Sequence, residues 1–273
     1  MPFVGGRTRP HFTAGAVPAR YLWVLVDHLE SLGHDVEKPL AAVGLTRVQL
    51  SHPAARIDRQ RLSSALQQLA ASTGRTDLGF ELGMQLGMGH ANELSLLLLS
   101  ASSLADGLVY ASRFFALITP SYQFGVDRLP ECYRACVAPS RPLPYDVAVL
   151  GLEIIAVALY RFGLFLSQAK SFPVKLDVSW QAPPHAHRYR ELKGVQVRFG
   201  IGEGLRLELY IPTELAETPF PMCSRLAARD LEAACERQLR ELSQGQSWTE
   251  WVTIMLLGAE RSSIGARSLG ARP

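Results

Sequence analysis

Inside an otherwise apolar run, Val147 to Leu166, the chain carries two charged residues, Glu153 and Arg161. They are eight residues apart, which on a helix of about 3.6 residues per turn sets their side chains about 80° apart. A charge withdrawn from water is costly unless it is paired or wetted. Each is therefore expected at a helix edge, in an internal ion pair, or as a polar group projecting into a ligand cavity. Arg113 and Tyr122 flank the junction of a helix and the strand after it, and carry the same readings. Arg113, Tyr122, Glu153 and Arg161 are the candidate ligand-binding residues, and a pocket between helices and sheet would be mostly apolar with a few convergent polar groups.

Other chemistry-bearing residues lack partners at useful spacing. His185 and His187 sit beside Pro183 and Pro184 without a nearby third ligand, so they read as a solvated turn or helix start rather than a metal site. Cys132 and Cys136 would share one face of a strand, but two thiols without further ligands make a poor zinc site. Neither a GxSxG elbow nor an HExxH pair is present. The glycines between Gly83 and Gly89 match neither a Walker loop nor a dinucleotide fingerprint. No enzyme activity, cofactor or metal is expected.

The chain of 273 residues is 48% hydrophobic, with 28 Lys and Arg against 25 Asp and Glu. That supplies a real core, and a net charge of +3 neither demands nor excludes nucleic acid. The first 20 residues lack the apolar segment of a signal peptide, so the four cysteines are read as thiols in a cytoplasmic protein. The apolar run could mimic a membrane span, but its two charges favour a core helix.

Around these residues the periodicity sets the elements. Leu22, Leu25, Val26 and Leu29 share one helix face. Short helical segments follow near Glu37 to Val43 and through Leu62, Leu66 and Leu69. Leu94 to Ile118 is helical, with a capping box predicted from Ser103 to Asp106. After Pro120 the period falls to two. Tyr122 to Val126, Tyr133 to Val137, Val174 to Trp180, Val195 to Phe199 and Leu205 to Ile211 read as strands. The apolar helix, with Asp146 as its cap, and a short helix from His185 to Leu192 interrupt them. The order ββαβαββ predicts an α+β fold, with an N-terminal helical bundle beside a mostly antiparallel sheet of about five strands, followed by C-terminal helices. Leu231, Cys235, Leu239 and Leu242 stripe a later helix suited to core packing or a dimer seam.

Three stretches together resemble a known family, the N-terminal regulatory domain (arabinose-binding type) of AraC-type transcription regulators. The first is Asp77-Leu78-Gly79-Phe80-Glu81-Leu82-Gly83 with the later Leu98-Leu99-Ser100-Ala101-Ser102-Ser103-Leu104. The second is Pro183, Tyr189 and Val195 to Gly200. The third is Leu205 to Leu209 leading to Leu215 and Pro219. The resemblance spans Tyr21 to Leu242. It implies a small-molecule effector, a homodimer, and DNA as the partner of the full-length family. It implies four regions: a flexible tail over 1–17, an effector-sensing domain over 18–222, a linker or dimerisation helix over 223–245, and over 246–273 a truncated start of a helix-turn-helix domain. Trp248 to Leu257 fits that domain's first helix and no recognition helix follows it, so this chain alone is expected to bind DNA at most weakly. Two alternatives stay open: a dimerisation module or remnant without effector, and an enzyme with an unrecognised site.

Overall fold

The computed structural model describes residues 17–52, 55–86, 93–168, 170–220 and 223–242. The expectations for residues 1–16 and 246–273 lie outside the described residues.

The chain opens with a two-residue strand, β1 (Val17–Pro18), paired antiparallel with β2 (Arg56–Ile57). Between them lie α1 (Arg20–Ser31), α2 (Glu37–Ala41) and α3 (Arg47–Ser51), and α4 (Arg59–Thr73) follows. The predicted stripe Leu22, Leu25, Val26 and Leu29 is the buried face of α1. Each such leucine contributes roughly 1.5–3 kcal/mol on burial. Asp58 caps α4 by accepting from the Arg61 N–H, and Gly74 ends it at φ +67°, a left-handed turn that glycine adopts without penalty. These helices enclose a first core.

Next come α5 (Leu78–Gln85), α6 (Glu93–Ser100) and α7 (Leu104–Phe114). Ser103 caps α7 as predicted, its hydroxyl accepting from the Asp106 N–H at 3.3 Å. The Asp106 carboxylate does not complete a box; it accepts instead from the Ser102 hydroxyl.

Five strands then build one sheet around a long helix: β3 (Tyr122–Arg128), β4 (Cys132–Pro139), α8 (Tyr145–Leu166), β5 (Val174–Val178), β6 (Val195–Arg198) and β7 (Leu207–Pro212). The spatial order is β3-β4-β7-β5-β6, antiparallel except for the β5–β6 pair. The α+β expectation therefore holds. The helix predicted from His185 to Leu192 is a tight 3₁₀ segment, Ala186–Glu191, which carries the crossover between the parallel pair. Pro144, not Asp146, stands at the N-cap of α8, and Asp146 lies in its first turn.

After β7, α9 (Thr213–Glu217) leads to a helix over 225–242, α10. Its Ala228 and Cys235 are buried and Leu231 and Leu239 pack on the main core, so the stripe lies against the body of the molecule. Burial pushes the Cys235 thiol up to about 11, leaving it an inert core thiol.

Candidate ligand-binding site

Two hydrophobic cores meet at α5 and α8. Phe80 belongs to the sheet-side core while Leu78 and Leu82, on the same helix, belong to the N-terminal one. Along α8, Leu152, Ala156 and Val157 face the first and Leu150 and Ile154 the second. Glycines make the close approach possible. A Cβ on Gly83 would stand 2.6 Å from the Val157 Cβ and 2.9 Å from the Ile154 carbonyl oxygen, and one on Gly79 would collide with the Glu153 carboxylate. The glycines read as a family signature are thus a packing requirement.

Between the cores lies a cavity of about 360 Å³. One face of α8 forms its longest wall: Val147, Leu150, Ile154, Ala158, Phe162 and Phe165 succeed one another at three- and four-residue steps. The opposite walls are Leu62 and Leu66 of α4, Leu94 and Leu98 of α6, and Ala111 of α7 with the adjoining Phe115. The polar residues Ser63, Ser95, Thr119, Ser121, Tyr21, Tyr122 and Arg161 interrupt an otherwise apolar lining. This accounts for the composition of α8, the one helix among the described residues long and apolar enough to cross a membrane. One side packs on α5 and the sheet, and another lines the cavity.

The four candidate residues divide between three places. Tyr122 lines the cavity; its hydroxyl faces the Val147 and Ala148 carbonyl oxygens at 3.4 and 3.3 Å, and burial pushes its pKa up to about 12, so it stays a neutral phenol. Arg161 also lines the cavity, on the exposed side of α8. Glu153 is buried outside the lining, where it accepts from the Tyr189 hydroxyl at 2.8 Å and from His185 Nε2 at 2.7 Å. A carboxylate only accepts, so Nε2–H points to Glu153 while His185 Nδ1 lies 3.3 Å from the Thr76 hydroxyl. His185 stands at the start of the 3₁₀ segment, one of the two readings given for it, but it is not solvated: the residue is 7% exposed and bridges the helices to the crossover, whereas His187 faces solvent. Arg113 points away from the cavity and pairs with Glu232 and, at 3.1 Å, Glu236 of α10.

Sequence reasoning missed the densest polar cluster, which closes the seam beside Glu153. Arg75 grips Asp77 through two 2.8 Å hydrogen bonds and reaches Glu81 at 2.6 Å. Arg188, on the crossover, donates to Asp77 at 2.6 Å and Glu81 at 2.7 Å and stacks 4.5 Å over the Phe80 ring. His28 of α1 meets Glu81 at 2.7 Å. Burial alone would raise both carboxyls, but guanidinium hydrogen bonds overcome it and hold Asp77 and Glu81 below the usual carboxylate range. Two acids four apart within an apolar helical stretch, Asp77 and Glu81, were the available signal. Their partner Arg188 is more than a hundred residues away.

With this geometry in place, comparison with known proteins is decisive for the family. Residues 33–219 match the family described as the arabinose-binding domain of AraC transcription regulator, N-terminal. The chain belongs to that family. It is 24% identical over 248 residues to the ornithine utilization regulator of Pseudomonas aeruginosa, covering 90% of this chain and 72% of the relative. The fold resembles that of the transcriptional regulator CdpR from Pseudomonas aeruginosa, with TM-score 0.54 and 17% identity, over 77% of this chain and 61% of that one. This chain thus spans less than two thirds of CdpR. An H-NOX family structure, determined to probe heme distortion, aligns at TM-score 0.50 and 13% identity over 74% of this chain and 96% of that one. Both likenesses are to the fold. The motifs quoted from the sequence mark the seam (Asp77 to Gly83, with Tyr189) and the α6–α7 junction (Leu98 to Leu104).

Proposed function

We propose that this chain is the effector-sensing part of an AraC-type transcription regulator, working in the bacterial cytoplasm as a homodimer and passing occupancy of the α8 cavity to a DNA-binding domain of the family. The cavity carries the reading: about 360 Å³ lies within the usual size of ligand sites, between two cores that a ligand could shift relative to one another.

A route out of the cavity supports it. Walls α6 and α7 meet at Ser100 to Ser103, and that junction holds the segment leading to α10 through Phe220 N–H to Ser102 O (2.8 Å) and Ser224 N–H to Ser100 O (3.3 Å). One turn of α7 faces the ligand space with Ala111 and grips α10 with Arg113. A ligand that moves α7 therefore moves α10. Catalysis is not part of the reading, since the described lining contains no carboxylate, histidine or cysteine. Haem is not carried over from the H-NOX likeness, which is one of fold alone; the described lining offers no histidine or cysteine to iron.

The test is a thermal-shift screen of metabolites on the full chain, in which a ligand at a hundred times its Kd adds about 2.7 kcal/mol. Binding that is lost in Ala158→Phe, with faster or slower hydrogen exchange over 225–242 on occupancy, is the expected result. Binding unaffected by filling the cavity, or occupancy without any change in α10, refutes it.

A further inference from the structure

We infer that the ligand of this cavity is an amphipathic monocarboxylate, a hydrocarbon chain whose carboxylate is received by Arg161. The inference rests on the effector-site reading and adds the chemistry of the effector.

Shape comes first. The α8 wall from Val147 to Phe165 spans about 27 Å of helix axis at about 1.5 Å per residue. A volume of about 360 Å³ drawn out along that wall is a channel rather than a chamber. Leucine, isoleucine and phenylalanine side chains line most of it, so a chain of methylenes meets its own kind.

Charge comes next. Arg161 is the only charged residue in the described lining. Among the described residues it makes no hydrogen bond or ion pair, unlike Arg75, Arg113, Arg188 and Arg198, each of which is committed to carboxylates. A guanidinium at a hydrocarbon channel presents a planar donor fork that a carboxylate fits bidentately. Cationic ligands are disfavoured: the second ammonium of ornithine, which figures in the name of one relative, would meet no carboxylate in the described lining.

The test uses the full chain, with octanoate as probe and 1-octanol and octylamine as neutral and cationic controls, by calorimetry below micellar concentrations. Octanoate should bind one per chain. From hexanoate to octanoate the affinity should rise roughly fourfold per methylene, about 0.8 kcal/mol each. Arg161→Gln should weaken octanoate roughly tenfold, the value of one hydrogen bond to a charged group, and leave octanol unchanged. Ala158→Phe should abolish both and Ala158→Leu weaken both, with circular dichroism confirming the fold. Octanol binding as tightly as octanoate, or octanoate indifferent to Arg161→Gln, overturns the carboxylate assignment while the cavity reading stands. No binding by either probe overturns the monocarboxylate assignment alone, and binding indifferent to both Ala158 variants overturns the assignment together with the cavity reading.

Discussion

The same substitution at two helical glycines should change stability in opposite directions. Gly83 on α5 faces α8, and Gly107 on α7 has its nearest neighbours at 3.7 Å (Leu98 Cδ2) and 4.0 Å (Ala101 Cβ). Replacing a helical glycine by alanine is worth up to about 1 kcal/mol, through unfolded-state entropy and helix propensity. At Gly107 that gain is free of collision, and Gly107→Ala should stabilise by about 0.5–1 kcal/mol. At Gly83 the new methyl would lie 2.6 Å from the Val157 Cβ and 2.9 Å from the Ile154 carbonyl oxygen. The latter is backbone inside α8 and cannot swing aside. Overpacking of this kind costs about 1–3 kcal/mol. Because the propensity gain is common to both sites, the difference between the two variants isolates the collision, about 1–3 kcal/mol in favour of Gly107→Ala. Urea unfolding followed by circular dichroism measures it, and at this chain length each kcal/mol moves Tm by about 2–4 °C. Gly83→Ala/Val157→Ala removes only the Val157 Cγ1 at 3.0 Å and keeps the Val157 Cβ and the Ile154 oxygen, so the double variant should recover little of the collision. Equal effects at Gly83 and Gly107 would refute the close α5–α8 approach, and with it the wall of the cavity.

Three further outcomes follow from the polar contacts. The folded-state values of Asp77 and Glu81 lie below their unfolded ones, so the stability they lend is complete above about pH 4 and is lost as the pH falls through the folded values. Arg188→Met removes one of the two guanidiniums responsible; it should cost about 1.5–3 kcal/mol at neutral pH and raise the acid-unfolding midpoint, and an unchanged midpoint would contradict the network. Arg113→Glu replaces attraction to Glu232 and Glu236 by repulsion; these exposed pairs add no more than about 1 kcal/mol to stability, yet hydrogen exchange over 225–242 should accelerate. Tyr122→Phe surrenders only long contacts of 3.3 and 3.4 Å, so a stability loss above about 1.5 kcal/mol would show that its hydroxyl is bonded more strongly than the geometry indicates.

Local pattern was enough for the elements. The three-and-four spacing of Leu22 to Leu29 and the strict alternation of Val174 to Val178 and Leu207 to Ile211 are properties of neighbours on one chain, and the helices and strands appear where those periods run. Where a partner lay far off in sequence, pattern alone left the outcome open. Glu153 and Arg161 were equivalent as charges on an apolar helix. Only the packing of α8 turned one toward His185 and Tyr189 and left the other at a channel. Arg113 looked like a pocket residue until α10 placed two carboxylates against it. The cavity itself is made of ordinary core residues, leucines, isoleucines and phenylalanines whose identity is the same whether they touch one another or enclose a space. Hydrophobicity sets which side chains leave water, and is blind to the volume left between them. That volume is decided by how closely two helices approach, which here falls to Gly79 and Gly83 meeting α8.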